Sequence, residues 1–302
     1  MKYFQISLVL LVLGTARAPA ESIAIVNVNV IPMTTEVVLP ARSVIVTDGK
    51  IASIGDVETT ALPEDALIVD GTDRYLIPGL AEMHAHVPGT SSQDLGRVLG
   101  LFIANGVTVV RGMLGQPSHL QLRQQLAEGE VQGPRLITSG PSFNGNSVTG
   151  PDQAASMVRE QFRDGYDFLK IHPGLSHDEF RAVAKAANEL HMPFAGHVPE
   201  DVSVAQALAA GIATIDHLDG YMVALIDANE DRSGGYGGFF GVYLAEYADE
   251  NRIRGIAAAT AAAGVWNVPT QSLFEHLVSA EDPRMMADRP EMKYVSAGTV
   301  ET

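Results

Sequence analysis

Residues 167–198 read DFLKIHPGLSHDEFRAVAKAANELHMPFAGHV, and this stretch decides the fold class. Two short apolar runs, 168–172 and 194–198, flank a segment of helical pattern over 177–190. Ser176, with Glu179 three residues on, forms a capping box at the start of that segment. Strand, helix, strand is a βαβ unit, and successive βαβ units build a parallel sheet.

The alternation continues in both directions. Further strands are predicted over 80–86, 108–112, 135–139, 214–218 and 266–269. Further helices are predicted over 94–104, 118–127, 152–163, 203–209 and 250–263, with Asp152 as an N-cap. Seven strands exceed a small flavodoxin-like sheet and nearly complete a barrel. No glycine-rich phosphate loop follows the first strand, which weighs against a dinucleotide fold. Before residue 76 the character is different. The Val- and Ile-rich runs 23–30, 43–46, 51–54 and 66–69 are bounded by turn signals, and VTDGKIASIG reads as a hairpin with Asp48-Gly49 in its turn. The expected architecture is α/β: a (β/α)8-type TIM barrel lacking its eighth strand over 76–302, preceded by a small β-sandwich domain over 21–75.

Residues 1–20 carry one lysine, an apolar run and small residues in two A-x-A patterns, the pattern of a signal peptide cut after Ala18 or Ala20. The run is too short to remain as a membrane span. An exported protein is expected, periplasmic or secreted, with no membrane attachment once the leader is removed. The 302 residues include no cysteine, which excludes disulfides and thiolate metal sites. The formal net charge of −16 argues against a nucleic-acid partner. Oligomeric state is left open.

In a barrel of this kind, functional side chains gather at the C-terminal ends of the strands. The first strand, in LIPGLAEMHAHVPG, carries His84 and His86 at a spacing that puts both rings on one face of a strand. FLKIH places Lys170 and His172 at the fourth strand end, FAGHV places His197 at the fifth, and IDHLDG places His217 at the sixth. Neutral imidazoles are good ligands for divalent transition ions. A lysine ammonium would repel metals, but its carbamate is an anionic, carboxylate-like group able to bridge two ions.

The motifs PGLAEMHAH, FLKIH, FAGHVPED and IDHLDG, in this order, resemble the amidohydrolase superfamily, close to its exported members related to imidazolonepropionase and to metal-dependent dipeptidases cleaving Xaa-Pro or Xaa-Arg. The resemblance spans roughly residues 23–270. It implies that His84 and His86 bind one metal, that carboxylated Lys170 bridges, and that His197 and His217 bind the second, with zinc the expected ion. It also implies a hydrolase acting on a carbon–nitrogen bond of a small-molecule amide, cyclic amide or dipeptide through metal-activated hydroxide. One departure stands out. The family's eighth strand carries a metal-binding, proton-shuttling aspartate, and no such residue is legible here. Asp282 and Asp288 lie in a polar, proline-containing stretch. The expectation is therefore a truncated piece of a longer hydrolase, and the alternative to an enzyme is an inactive metal-binding fragment or remnant.

Three residues are candidates for substrate contact: His172, which faces the same way as Lys170, Arg111 at the end of strand two, and Tyr221 just after HLDG. For Arg111 an internal salt bridge is an equal alternative, and for His172 a contact with a helix N-terminus is one. Asp216 and Asp219 are expected to orient neighbours. The glycine-rich run 231–241, DRSGGYGGFFG, is expected as a loop over the active-site mouth.

Overall fold

Parallel strands buried on both faces need cover on both sides, and the middle of this chain supplies it. The protein is described by a computed structural model over residues 22–227, 239–279 and 281–296. The expected leader, and residues 228–238 with most of the glycine-rich run 231–241, lie outside the described residues. No helix among the described residues is long and apolar enough to cross a membrane. The chain divides after Pro78 into two compact units.

The first unit is a mixed sheet of β1 (Ser22–Val30), β2 (Leu39–Thr47), β3 (Lys50–Asp56), β4 (Leu67–Asp70) and β5 (Tyr75–Leu76). Its order is β3-β2-β1-β4, and β5 pairs with β1. The predicted hairpin is present. Thr47 pairs with Lys50, and Asp48 and Gly49 both hold positive φ, at 52° and 71°, as a two-residue primed turn requires. Val28, Val30 and Val44 form its small core. Described residues of this unit make one sheet, and a second sheet facing it, as a sandwich needs, is not among them.

The second unit alternates strands and helices. Its strands are β6 (Leu80–Ala85), β7 (Val107–Gly112), β8 (Arg135–Thr138), β9 (Leu169–Ile171), β10 (Phe194–Gly196), β11 (Thr214–Asp216) and β12 (Trp266–Val268). Between them run α1 (Leu95–Ala104), α2 (Ser118–Glu128), α3 (Pro151–Asp164), α4 (His177–Glu189), α5 (Val204–Ala209), α6 (Tyr221–Ala224) and α7 (Ile253–Ala262); α8 (Gln271–Leu277) and α9 (Pro283–Ala287) follow β12. Every strand pair is parallel and joins consecutive strands, in the runs β6-β7-β8 and β9-β10-β11-β12. Parallel bridges Ser139↔Phe168 and Phe143↔Ile171 link the two runs. Strands β9, β10 and β11 are buried at every position, as expected of a sheet covered on both faces. Phe180, Val183 and Ala187 of α4 pack with Leu169, Ile171, Phe194 and Ile215 in the main core.

Local chemistry explains the element ends. The Ser176/Glu179 capping box is formed, and Ser203 and Gln206 make a second one at α5. Asp152 is not the cap of α3. Gly150 precedes the helix, Pro151 takes its first position and Asp152 sits in the first turn, because proline lacks the N–H that would be orphaned there. The predicted 250–263 helix opens as a 3-10 turn, Glu250–Arg252, before α7. Asp282 caps α9 by accepting the Arg284 N–H at 2.9 Å, and Asp288 ends that helix, so neither follows a strand. Among the described residues β6 pairs only with β7 and β12 only with β11, so the series has two edges. Trp266 on β12 is 76% exposed.

Candidate active site

Every strand of the second unit except β7 ends one or two residues before its apolar run suggests. His86, His172, His197 and His217 are each the first residue after their strand, whereas His84 and Lys170 lie within theirs. The chain turns sharply there. Gly196 has φ 126°, and His217 and Leu218 hold left-handed φ of 61° and 53°. Left-handed backbone is uncommon for residues with a Cβ and collects at functional sites.

The turns bring the rings together. The His84 centroid lies 4.3 Å from His217 and 5.3 Å from His86; His197 lies 4.9 Å from His217 and 5.1 Å from His172. All five predicted histidines thus form one contiguous cluster. His86 lies open to solvent at its rim.

Three of the rings are held from behind by oxygen. His84 Nδ1 is 2.6 Å from Asp216 Oδ2, and His197 Nδ1 is 3.1 Å from Asp219 Oδ2. A carboxylate only accepts, so each Nδ1 carries the proton. His217 Nδ1 is 2.7 Å from Thr270 Oγ1, and that hydroxyl donates its single proton to the Pro269 carbonyl at 2.7 Å. The Thr270 oxygen therefore accepts from His217. In the neutral form of each of these imidazoles Nε2 then keeps its lone pair, the form a metal-ligating histidine takes. Burial, then the neighbouring imidazoles and Lys170, push His217 down to about 3. Burial, then Lys170 and the other rings, does the same to His172, also to about 3. Burial is the leading cause at His197 too, against the pull of Asp219, and at His86 the cover on the ring's inner side acts together with His84, Lys170 and His197. These four rings are neutral at pH 7.

Lys170 lies at the base of the cluster and is completely buried. Its Nζ has no hydrogen-bond partner among the described residues. Burial pushes its pKa down to about 8, against the pull of Asp216. Gly196 makes room for its stem: a Cβ there would fall 3.0 Å from Lys170 Cδ and 2.4 Å from the Ile171 carbonyl oxygen.

Asp216 is fully buried. Burial alone would raise its pKa, but the His84 hydrogen bond, Lys170, Arg111 and Thr214 outweigh it and bring it to about 2. Arg111, raised above as a substrate contact, is buried and engaged internally. Its Nη2 donates to Thr214 Oγ1 and Asp216, and its Nε to the Met83 carbonyl. The salt-bridge alternative is the one the geometry draws. The Tyr221 hydroxyl lies 2.8 Å from Thr260 Oγ1 on α7. His172 stands beside His197, their ring centroids 5.1 Å apart. Residues that carry the site without a sequence signal are Thr270, whose partner is 53 positions away, and Gly196. Phe240 is a third: it stacks on His197 at 5.8 Å and 15° and lies 4.9 Å from His217. Its φ of 54° is again left-handed.

A cavity of about 630 Å³ opens against His197 and Asp219. Val198, Val202, Met222 and Leu244 give it an apolar wall, Phe240 closes one side, and Glu200 is its other acid. No lysine or arginine is among its described lining residues. Among the described residues no three His, Asp or Glu side chains already stand in ligating geometry. The structure presents a donor set with its orienting partners rather than a formed coordination sphere.

Residues 75–282 match the amidohydrolase family, and the chain belongs to that family. It is 27% identical over 230 residues to an adenine deaminase of Moorella thermoacetica, covering 68% of this chain and 37% of the relative. It is 33% identical over 191 residues to an adenine deaminase of Ruegeria pomeroyi, covering 59% and 31%. The chain thus spans about a third of the length of the curated relatives it matches. Among solved structures it superposes on a Xaa-Pro dipeptidase with bound methionine at a TM-score of 0.62 and 20% identity, over 93% of this chain and 74% of that one. That likeness speaks for the α/β fold with parallel strands.

Proposed function

We propose that the second unit is the core of a metal-dependent hydrolase of carbon–nitrogen bonds, its seven strands belonging to a (β/α)8 barrel. His84, His86, Lys170, His197 and His217 would hold two divalent ions, with zinc the first choice. The observation that carries this reading is Lys170. A fully buried amine without a partner is costly, and a methionine would fill the same space at lower cost. Addition of the neutral amine to carbon dioxide forms an N–C bond and releases one proton. The resulting carbamate turns the orphan into an anionic oxygen donor beside the imidazoles.

When bound, the ions would supply an activated water and a Lewis acid for the substrate carbonyl. The chain's own residues supply the rest. Asp216, Asp219 and Thr270 fix the tautomers of His84, His197 and His217. The cavity beside His197 takes the apolar part of an amide, cyclic amide or dipeptide, and Asp219 and Glu200 in its lining favour an uncharged or amine-bearing group over a second carboxylate. The relatives' names point to the same bond type.

A second reading, metal binding without turnover, is favoured by one observation. Both carboxylates that touch the cluster's rings, Asp216 and Asp219, are committed to imidazoles, and Glu82 accepts the His84 backbone N–H at 2.7 Å. Each of the three already holds a hydrogen bond to a residue of the cluster. The sandwich and the leader remain parts of the same proposal, with export to the periplasm or medium. A mature N-terminus after Ala18 or Ala20 in the periplasmic fraction would test export.

The decisive experiment reconstitutes the protein with zinc and bicarbonate. Metal is counted by elemental analysis, and amine release is followed from dipeptides, N-acyl amino acids, cyclic ureides and adenine. Two ions per chain with turnover supports the hydrolase. Two ions without turnover selects the second reading, and a protein that retains no metal overturns both.

A further inference from the structure

Arg111, on β7, contacts groups on two other strands of the second unit, β6 and β11, and a ring just before β9. Its Nε donates to the Met83 carbonyl on β6 at 2.8 Å. Its Nη2 reaches Thr214 Oγ1 at 3.1 Å and Asp216 Oδ1 and Oδ2 at 3.3 and 3.4 Å, all on β11. Its Cζ lies 5.6 Å from the Phe168 ring centroid, next to β9.

The direction of each hydrogen bond can be worked out. Thr214 has one hydroxyl proton, and Asp216 Oδ1, 2.7 Å away, can only accept it. Thr214 therefore accepts from Arg111. Asp216 Oδ1 is thus held by Thr214 and Arg111, and Oδ2 by Arg111 and His84. Arg111 is also bonded to the carbonyl of the peptide that joins Met83 to His84. One guanidinium fixes both the main chain entering His84 and the carboxylate behind its ring.

We propose that Arg111 is a positioning residue for the histidine cluster. It locks Asp216 in the rotamer that takes the His84 Nδ1 proton, so that His84 is confined to the tautomer with Nε2 free. The consequence for metal affinity rests on the metal-site reading above; the consequence for the tautomer does not. Lysine could not do the same. A point charge with no planar fork cannot serve a carbonyl on one strand and a carboxylate with its hydroxyl partner on another. A purely structural role is the competing account, since an arginine crossing three strands would also stiffen the unit, and a buried ion pair is often replaceable by apolar packing without loss of stability.

The test separates these accounts by observing the ring itself. In metal-free wild type, long-range ¹H–¹⁵N spectra should show His84 as a single Nδ1–H tautomer. In Arg111→Met, which keeps the bulk, His84 should show both tautomers, and the zinc dissociation constant should rise by about 10–100-fold, the range found when partners behind metal ligands are removed. Arg111→Lys should behave like Arg111→Met. Thr214→Val, which removes only the hydroxyl between Arg111 and Asp216, should move both readouts in the same direction and stands in if Arg111→Met does not fold. An unchanged His84 tautomer in the folded variant overturns the proposal, even if thermal stability falls. Wild type that binds no zinc while its His84 tautomer depends on Arg111 would reject the metal reading and leave this one intact.

Discussion

His217 Nδ1 and Thr270 Oγ1 stand 2.7 Å apart, and both residues hold left-handed backbone, with φ of 61° and 49°. A β-branched residue in that region is strained, by about 1–2 kcal/mol for a Cβ-bearing residue. Glycine would relieve the strain, at a chain-entropy cost of about 0.5–1 kcal/mol. Thr270→Gly should therefore leave stability within about 1 kcal/mol of wild type. It should also free the His217 tautomer and weaken zinc binding by about 10–100-fold. Thr270→Ser should restore the affinity. Denaturant unfolding and zinc titration read the two effects separately; a Thr270→Gly protein with wild-type zinc affinity would sink the assignment.

Lys170 offers a prediction whose sign is unusual for a core lysine. Its Nζ is buried and unpartnered, so Lys170→Met should make the metal-free protein more stable by about 1–3 kcal/mol. The same variant should lose metal, and bicarbonate should aid reconstitution of wild type alone. A Lys170→Met protein that is less stable without metal, or that retains two ions, contradicts the role given to this amine.

Lys170, His84, His86, His197 and His217 were legible in the sequence because strand periodicity and the strand-end rule are local. A lysine inside FLKIH and histidines within or at the ends of apolar runs need no tertiary knowledge. The commitment of Arg111 was not legible, since its partners are 103 and 105 positions away and the same residue type serves a substrate carboxylate equally well. Thr270 was hidden for the same reason. Its residue type says nothing of a left-handed turn, and the neighbouring VPTQS carries no charge to draw notice. The shortened strands were also out of reach, because an apolar run marks burial while pairing stops where the backbone turns at Gly196 and His217.

Gly196 tests how tightly the lysine's channel is built. Its φ of 126° disfavours any Cβ, and alanine there would also press on the Ile171 carbonyl and the Lys170 stem. Gly196→Ala should cost about 2–4 kcal/mol, from the strained backbone and the overpacking together. Gly106, at φ 76° with open space around it, is the control: Gly106→Ala carries the backbone strain without the clash and should cost about 1–2 kcal/mol. Equal losses at the two sites in urea unfolding would show that the Lys170 channel is not close-packed.

His119 provides a pH prediction independent of the cluster. It is completely buried in α2, with Nδ1 3.4 Å from Thr138 Oγ1. Burial holds its pKa below the ordinary histidine value of 6.5, against the opposing pull of the Pro88 and Val87 backbone. Below that value the unfolded chain takes up a proton that the native ring refuses. The stabilisation is therefore present above pH 6.5 and is lost as pH falls from there toward the folded pKa, by up to about 1.4 kcal/mol per pH unit. Asp216 acts in a lower window: its folded pKa is about 2, so its contribution is present above the unfolded carboxylate range and fades only below about pH 4. His119→Gln removes the first effect and leaves the second. Between about pH 7.5 and 5 the wild type should lose more stability than the variant, as measured by denaturant unfolding at each pH. Parallel pH profiles for the two proteins would mean that His119 titrates normally in the folded state and that its burial exerts no such cost.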